Sequence, residues 1–187
     1  MSALNHFLKN TVAAFVAIVM FSLPCAAVDQ ARLDQLYAQL KQAEPAEAKK
    51  IGNEIILELS RSGSSAMDLL LKRGRDALEA GETQAAIEHL TALTDHAPEF
   101  AEGWHLRAVA YRQAELFGQA VSDLERALTL RPRNFEAIYG LGVLLEELNR
   151  PEMAYEAYSR VFEIHPHYED ISDVLDRLSA TLGGEDL

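Results

Sequence analysis

AEGWHLRAVAYRQAELFGQAVSDLERALTLRPRN, residues 101–134, reads as two amphipathic helices joined by a tight turn and closed by Arg131-Pro132. Trp104 and Tyr111 stand seven apart, two turns along one face of the first helix. Ala120, Leu124 and Ala127 mark one face of the second. The proline ends that helix, because it lacks an N–H and drives the residue before it out of helical geometry.

The same spacing continues on both sides. Pro98, Pro132 and Pro166 are 34 residues apart, as are Ala86, Ala120 and Ala154, and Gly74, Ala108 and Gly142. Four more columns agree in type: Leu70, Trp104, Ile138; Ala77, Tyr111, Leu145; Leu90, Leu124, Tyr158; Leu93, Ala127, Val161. Such a period is the mark of a helical solenoid. The small residues on each first helix and the alanine on each second helix let the two cross closely. The large residues between them fill the gap. One helix pair cannot bury its apolar face alone, so the copies must stack.

The central copy resembles the tetratricopeptide repeat (TPR) family. The family's W-x₂-L-G-x₂-Y…A…F…A…P pattern stands here as Trp104, Ala108, Tyr111, Ala120, Leu124, Ala127 and Pro132, with Phe117 in the turn. The resemblance implies an all-α, right-handed solenoid of three TPR helix pairs, residues 67–100, 101–134 and 135–168. Trp104 is then expected as the core pin of the central unit. Arg107 departs from the pattern, which has an apolar residue there, and Arg73 repeats the departure. Both are expected to lay their stems on apolar surface and keep their charged heads in solvent.

The resemblance also implies a concave groove lined by the first helix of each repeat. Its family positions map to Asp68, Leu71, Arg75, Leu78 and Glu79, then Glu102, His105, Val109, Arg112 and Gln113, then Glu136, Tyr139, Val143, Glu146 and Glu147. Some TPR domains clamp a terminal carboxylate with Lys and Asn. Leu71 and Arg75 stand at those places here, which argues against that mode. The expected partner-binding residues are Leu71, Arg75, Leu78, His105, Val109, Arg112, Tyr139, Val143 and Glu146. Arg75, His105 and Arg112 form a candidate basic spot for a peptide of some acidic character. In the competing reading, Arg75 and Arg112 only pair with carboxylates across repeats.

The flanks differ from the repeats. Residues 1–10 carry Lys9 and no acid, and residues 11–23 form an apolar run that Pro24 breaks. With Cys25-Ala26-Ala27 following, residues 1–27 read as a secretory signal peptide cut after Ala27. The alternative is an uncleaved anchor, for which this run is short of the roughly 20 residues a spanning helix needs. Residues 28–66 show two helical stripes, Leu33, Leu36, Tyr37, Leu40 and then Ala48, Ile51, Ile55, Leu59, around Glu44-Pro45. They predict a helical hairpin that could be a drifted terminal repeat. Residues 169–187 are a cap and tail: Ile171, Leu175, Leu178 and Leu182 make one apolar face, and Asp170, Asp173, Asp176 and Arg177 cover the other.

Composition limits what the chain can do. At 187 residues, 49% hydrophobic and 25% charged, it is globular rather than disordered. A net charge of −12 argues against nucleic acid as partner. The single cysteine, Cys25, lies in the leader, so the mature chain has no thiol nucleophile or Cys-rich metal site. No phosphate loop or nucleophile elbow occurs. Glu146-Glu147 are adjacent on a solvated helix, not opposed across a cleft. His89 and His96 lack metalloprotease spacing, and His165 with His167 is expected at the surface of a turn. The reading is therefore of no enzyme, no catalytic residue, no cofactor, no metal site and no small-molecule substrate. The expected function is a protein–protein interaction scaffold with a protein or peptide partner. Resemblance to small secreted TPR proteins of Gram-negative bacteria places it in the periplasm, or on the inner membrane if the leader stays. The rival is a self-associating or membrane-anchored structural subunit of an envelope assembly complex, touching its neighbours through the 28–66 hairpin.

Overall fold

The computed structural model describes residues 30–184, which form nine α-helices and no strand. The leader at residues 1–27 lies outside the described residues. An N-terminal hairpin, α1 (Gln30–Leu40) and α2 (Pro45–Leu59), precedes three helix pairs. These are α3 (Ser65–Glu79) with α4 (Thr83–His96), α5 (Ala101–Gln113) with α6 (Phe117–Leu130), and α7 (Phe135–Glu147) with α8 (Pro151–Ile164). A last helix, α9 (Ile171–Gly184), packs on α8. The architecture is an all-α helical-repeat solenoid. Among the described residues no helix is long and apolar enough to cross a membrane.

The small-residue columns act as the spacing predicts. A Cβ on Gly74 would stand 2.5 Å from Cγ of Leu90, and one on Gly142 2.6 Å from Cε1 of Tyr158. Backbone and side chain are in contact there, so the helices of a pair cross as closely as they can. Ala86, Ala120 and Ala154 are fully buried on the opposing helices.

Each pair also turns in the same way. Gly81, Glu115 and Asn149 hold left-handed φ of 74°, 58° and 54°. The N–H that follows donates back into the first helix at 2.8 Å each time: Glu82 to Ala77, Leu116 to Tyr111, Arg150 to Leu145. That double reversal satisfies the last carbonyls of the helix. The second copy pays a conformational cost, because Glu115 carries a Cβ in a backbone shape that suits glycine.

Arg107 corrects an expectation. Its head is not in solvent but buried, at 9% exposure. Nε and Nη2 donate to the two oxygens of Asp123 at 2.7 and 2.9 Å, and Nη1 donates to the Thr94 hydroxyl at 2.8 Å. One guanidinium thus ties α4, α5 and α6 together. The Asp123 hydrogen bond holds its pKa above the ordinary arginine value. Arg73 does stay exposed. Trp104 is corrected too. It is half-buried rather than a core pin, its Nε1 donating to the Pro98 carbonyl at 2.9 Å and its ring lying 4.7 Å beneath the Arg107 guanidinium.

The N-terminal hairpin does not stack before the first repeat. Its stripe, with Leu33, Leu36, Leu40, Ile51, Ile55 and Leu59 buried, joins one core with Phe135, Ile138, Tyr158 and Val161 of the third repeat and Ile171 and Leu178 of α9. The first repeat has a separate core around Leu71, Leu90 and Leu93. Helix α2 crosses the junctions between repeats: Leu59 borders Phe100 and Asn134, and Gly52 lies against His165 and Phe135. On α1, Asp34 pairs with Arg133, whose guanidinium stands 4.4 Å from the Tyr37 ring centroid.

His165 is a further correction. It is buried at 4% exposure, set edge-on to Phe135 at 5.2 Å between ring centroids and beside Tyr168 at 5.5 Å. Among the described residues its Nδ1 has no hydrogen-bond partner. Burial first, and the charge of His167 second, hold its pKa down at about 4. His167 alone of the two sits at the surface.

Three outcomes follow from these contacts. Replacing Arg107 with Leu leaves Asp123 buried without a partner and should cost about 3–5 kcal/mol in denaturant unfolding. Replacing Asp123 with Ala in the same chain should recover most of that loss; failure to recover would mean the guanidinium contributes by packing alone. Glu115→Gly should raise the thermal midpoint, gaining about 0.5–1 kcal/mol by removing the left-handed strain. His165 is neutral in the fold, with a pKa below its unfolded value. The unfolded chain therefore takes up a proton that the native chain does not, and stability falls as pH drops from 6.5 towards 4. The loss is about 3 kcal/mol. His165→Gln should flatten this part of the pH–stability profile, and an unchanged slope would refute the assignment.

Candidate functional site

The first helices α3, α5 and α7 lie side by side and form the inner face of the solenoid. A groove of about 330 Å³ opens along them. Arg75 enters from α3. Glu102, His105, Leu106, Val109 and Arg112 come from α5, and Glu136, Tyr139, Gly140 and Val143 from α7. Ile56 of α2 and Tyr168, in the turn before α9, complete the lining. The helical period of about 3.6 explains the α5 set: residues three and four apart fall on one face.

The wall is aromatic and apolar. Tyr139 meets Tyr158 and Tyr168 at 5.3 and 5.2 Å between ring centroids, and Tyr168 meets Phe135 at 5.2 Å. Tilted contacts of this kind pin the rings beyond simple area burial. Tyr168 loses its proton only well above the ordinary tyrosine range, because burial disfavours the phenolate.

The polar floor is paired. Arg75 donates to Glu102 at 3.2 Å and to the Ser60 hydroxyl at 3.3 Å. Arg112 donates to Glu147 at 2.8 Å. Both are ion pairs across repeats, so each arginine of the basic spot has a carboxylate partner. His105 Nδ1 lies 3.3 Å from the other oxygen of Glu102. Burial works to lower the His105 pKa, but the hydrogen bond and charge of Glu102, with Glu136 adding to them, leave it raised. The Glu136 carboxyl is raised as well, by burial first, with His105 opposing.

Six of the expected groove residues meet here: Arg75, His105, Val109, Arg112, Tyr139 and Val143. Three do not. Leu71 is buried at 3% exposure in the first-repeat core, packed in a cluster with Ala77 and Ala110, and Leu78 packs against the same cluster. Glu146 is turned to the cap, accepting from both Arg177 terminal nitrogens at 2.7 and 3.1 Å and from the Tyr158 hydroxyl at 2.9 Å. Those contacts, Arg177 first, lower its pKa. Ile56, Leu106 and Tyr168 are lining residues that repeat positions alone do not identify. Leu106 is adjacent to a groove position, and Tyr168 repeats the place of Phe100 and Asn134 after each proline. Ile56 has no signal in the sequence, since it arrives only through the docking of the hairpin.

Comparison with known proteins agrees with this architecture. The tetratricopeptide repeat model matches residues 71–121 and 105–169. A TPR repeat-containing protein of Rhizobium etli is 32% identical over 154 residues, covering 82% of this chain and 76% of that protein. Among solved structures, the first TPR domain of Spaghetti (RPAP3) bound to the HSP90 peptide SRMEEVD has a TM-score of 0.60 at 26% identity, covering 63% of this chain and 93% of that one. The O-GlcNAc transferase of Thermobaculum terrenum shares the fold over 22% of its length and 60% of this chain, with a TM-score of 0.57 at 23% identity. The family model spans more than half of the chain, in two matches that begin 34 residues apart: the chain belongs to the tetratricopeptide repeat family.

Proposed function

We propose that the chain is a non-enzymatic interaction scaffold that takes a peptide segment of a partner protein in the groove over α5 and α7. The observation that carries this reading is the groove's apolar wall. Ile56, Leu106, Val109, Tyr139, Val143 and Tyr168 converge on one open cleft, and exposed apolar surface gathered in a concavity is where a ligand gains binding energy. A peptide bound to a TPR domain of the same fold supports the mode. The neutralised arginines shift the expected ligand chemistry: the anchors are apolar or aromatic side chains, and acidity in the peptide is secondary.

The location in this reading is the periplasm of a bacterial envelope, reached through a cleaved leader at residues 1–27. What supports it is the leader's own pattern, a short apolar run with small residues before the cut. The self-association rival has less to stand on, because the hairpin stripe it would use is buried within the chain.

Val109 and Val143 are half-buried groove residues, so a charged side chain there is tolerated by the fold. Val109→Glu with Val143→Glu should lower recovery of the specific partner in envelope-extract capture by at least about tenfold, equivalent to about 1.4 kcal/mol of binding. The same bands recovered at equal strength by both proteins would overturn the groove assignment. An N-terminal residue other than Val28 in the exported protein would overturn the placement of the cut.

A further inference from the structure

We infer that Glu102, His105 and Glu136 form a binding site for a divalent transition-metal ion between the second and third repeats. One ligand atom of each lies within 4.8 Å of the others. Tetrahedral oxygen and nitrogen ligands at about 2.1 Å from Zn²⁺ stand roughly 3.4 Å apart. Binding would draw the three ligand atoms together by about 1 Å.

The cluster is more than acidic residues lying near one another. Glu102 and His105 are buried at 3% and 6% exposure, and Glu136 is half-buried. Two carboxylates held together away from water repel each other and need positive charge. Among the described residues Arg75 hydrogen-bonds Glu102 in the cluster and reaches Glu136 only through its charge. Among the described residues no protein donor hydrogen-bonds Glu136, although it faces the imidazole and the second carboxylate. A dication satisfies both carboxylates together. The donor set also fits. Glu102-x-x-His105 presents a carboxylate and an imidazole from adjacent turns of α5, and Glu136 projects from the neighbouring α7. Glu-x-x-His with a Glu from an adjacent helix is the donor pattern that helix bundles use for inward-facing metal sites. Imidazole with carboxylates suits Zn²⁺, Fe²⁺ and Mn²⁺ better than Ca²⁺.

The stacking of repeats builds this arrangement. Glu102 and Glu136 occupy the same position of successive repeats, and the solenoid sets equivalent positions side by side. Three protein ligands leave a coordination position, and all three residues line the groove. The ion would therefore stitch α5 to α7 and offer an incoming peptide group a place to bind. The inference is independent of whether the groove takes a peptide.

Titration of the metal-stripped, purified chain with Co²⁺ and then Zn²⁺ tests it. One equivalent of Co²⁺ should give the visible absorption of a low-coordinate site, Zn²⁺ should displace it, and Zn²⁺ should raise the thermal midpoint. Glu136→Gln and His105→Gln should each weaken binding by at least about tenfold and lose the midpoint rise. Circular dichroism checks that these variants remain folded. Arg75→Gln should keep the one-ion stoichiometry and bind at least as tightly, since a cation competing for Glu102 is gone. Absence of a one-equivalent site in the native chain overturns the inference. So does unchanged binding in both ligand variants, which would assign the ion to histidines such as His96 or His167 at the surface. Should one ligand variant unfold, the other and Glu102→Gln decide.

Discussion

The middle of the solenoid hangs on a buried guanidinium. Arg107 stands where the repeat pattern wants an apolar residue, yet it is taken into the interior rather than left on the surface. Two oxygens of Asp123 and the hydroxyl of Thr94 receive three of its donors, and Trp104 and Tyr111 lie beneath its plane at 4.7 and 5.5 Å. Such a residue brings directionality where apolar packing has none. Leucines at this point would hold α4, α5 and α6 together across a range of angles. A planar fork with fixed donors holds them at one. The groove depends on that, because Glu102, His105, Val109 and Arg112 are all carried on α5.

The second constraint is the hairpin. A solenoid end is normally closed by a helix stacked along its axis, and α9 does this at the C-terminal end. The hairpin instead runs across the junctions, sharing a core with the third repeat and the cap while reaching back to Arg75 through Ser60. It links regions that the repeat architecture leaves to nearest-neighbour contacts. It also adds Ile56 to the groove lining, beside Tyr168. His165 sits at the seam, its ring wedged between Gly52 and Phe135. A larger residue than glycine at 52 would meet the imidazole, whose Nε2 stands 3.0 Å from where a Cβ would be.

Much of this was legible in the sequence because the repeat makes three independent statements of one rule. The prolines, the alanines and the Gly74/Ala108/Gly142 column report packing that local geometry enforces, and the structure places them as expected. Harder to read was whatever depends on one copy only. Arg107 looked like a surface departure because its partners, Asp123 and Thr94, are 16 and 13 residues away on other helices. Glu115 gave no sign of left-handed backbone; Gly81 and Asn149 in the same column hinted at it. The hairpin's stripes were plain, but amphipathicity says that a face is buried and not against what. Leu71, Leu78 and Glu146 show the same limit: they hold family groove positions, and neighbouring side chains have drawn them into a core or onto the cap.

A repeat fold keeps its frame by holding some positions constant and leaves others free to carry chemistry. Asp68, Glu102 and Glu136 occupy one such position; Leu71, His105 and Tyr139 occupy another, three residues on. The first pair of these is solvated acid beside buried leucine. The last is a half-buried acid beside a tyrosine that belongs to the aromatic wall. Only in the middle do acid and imidazole coincide on one helix, and only there does the next repeat bring a second acid to meet them. The chemical centre of the groove is therefore a product of register. Shifting α5 or α7 by one residue would break the packing columns of its own pair and would separate Glu136 from His105. The same 34-residue period that makes the scaffold possible decides which side chains can act together on its inner face.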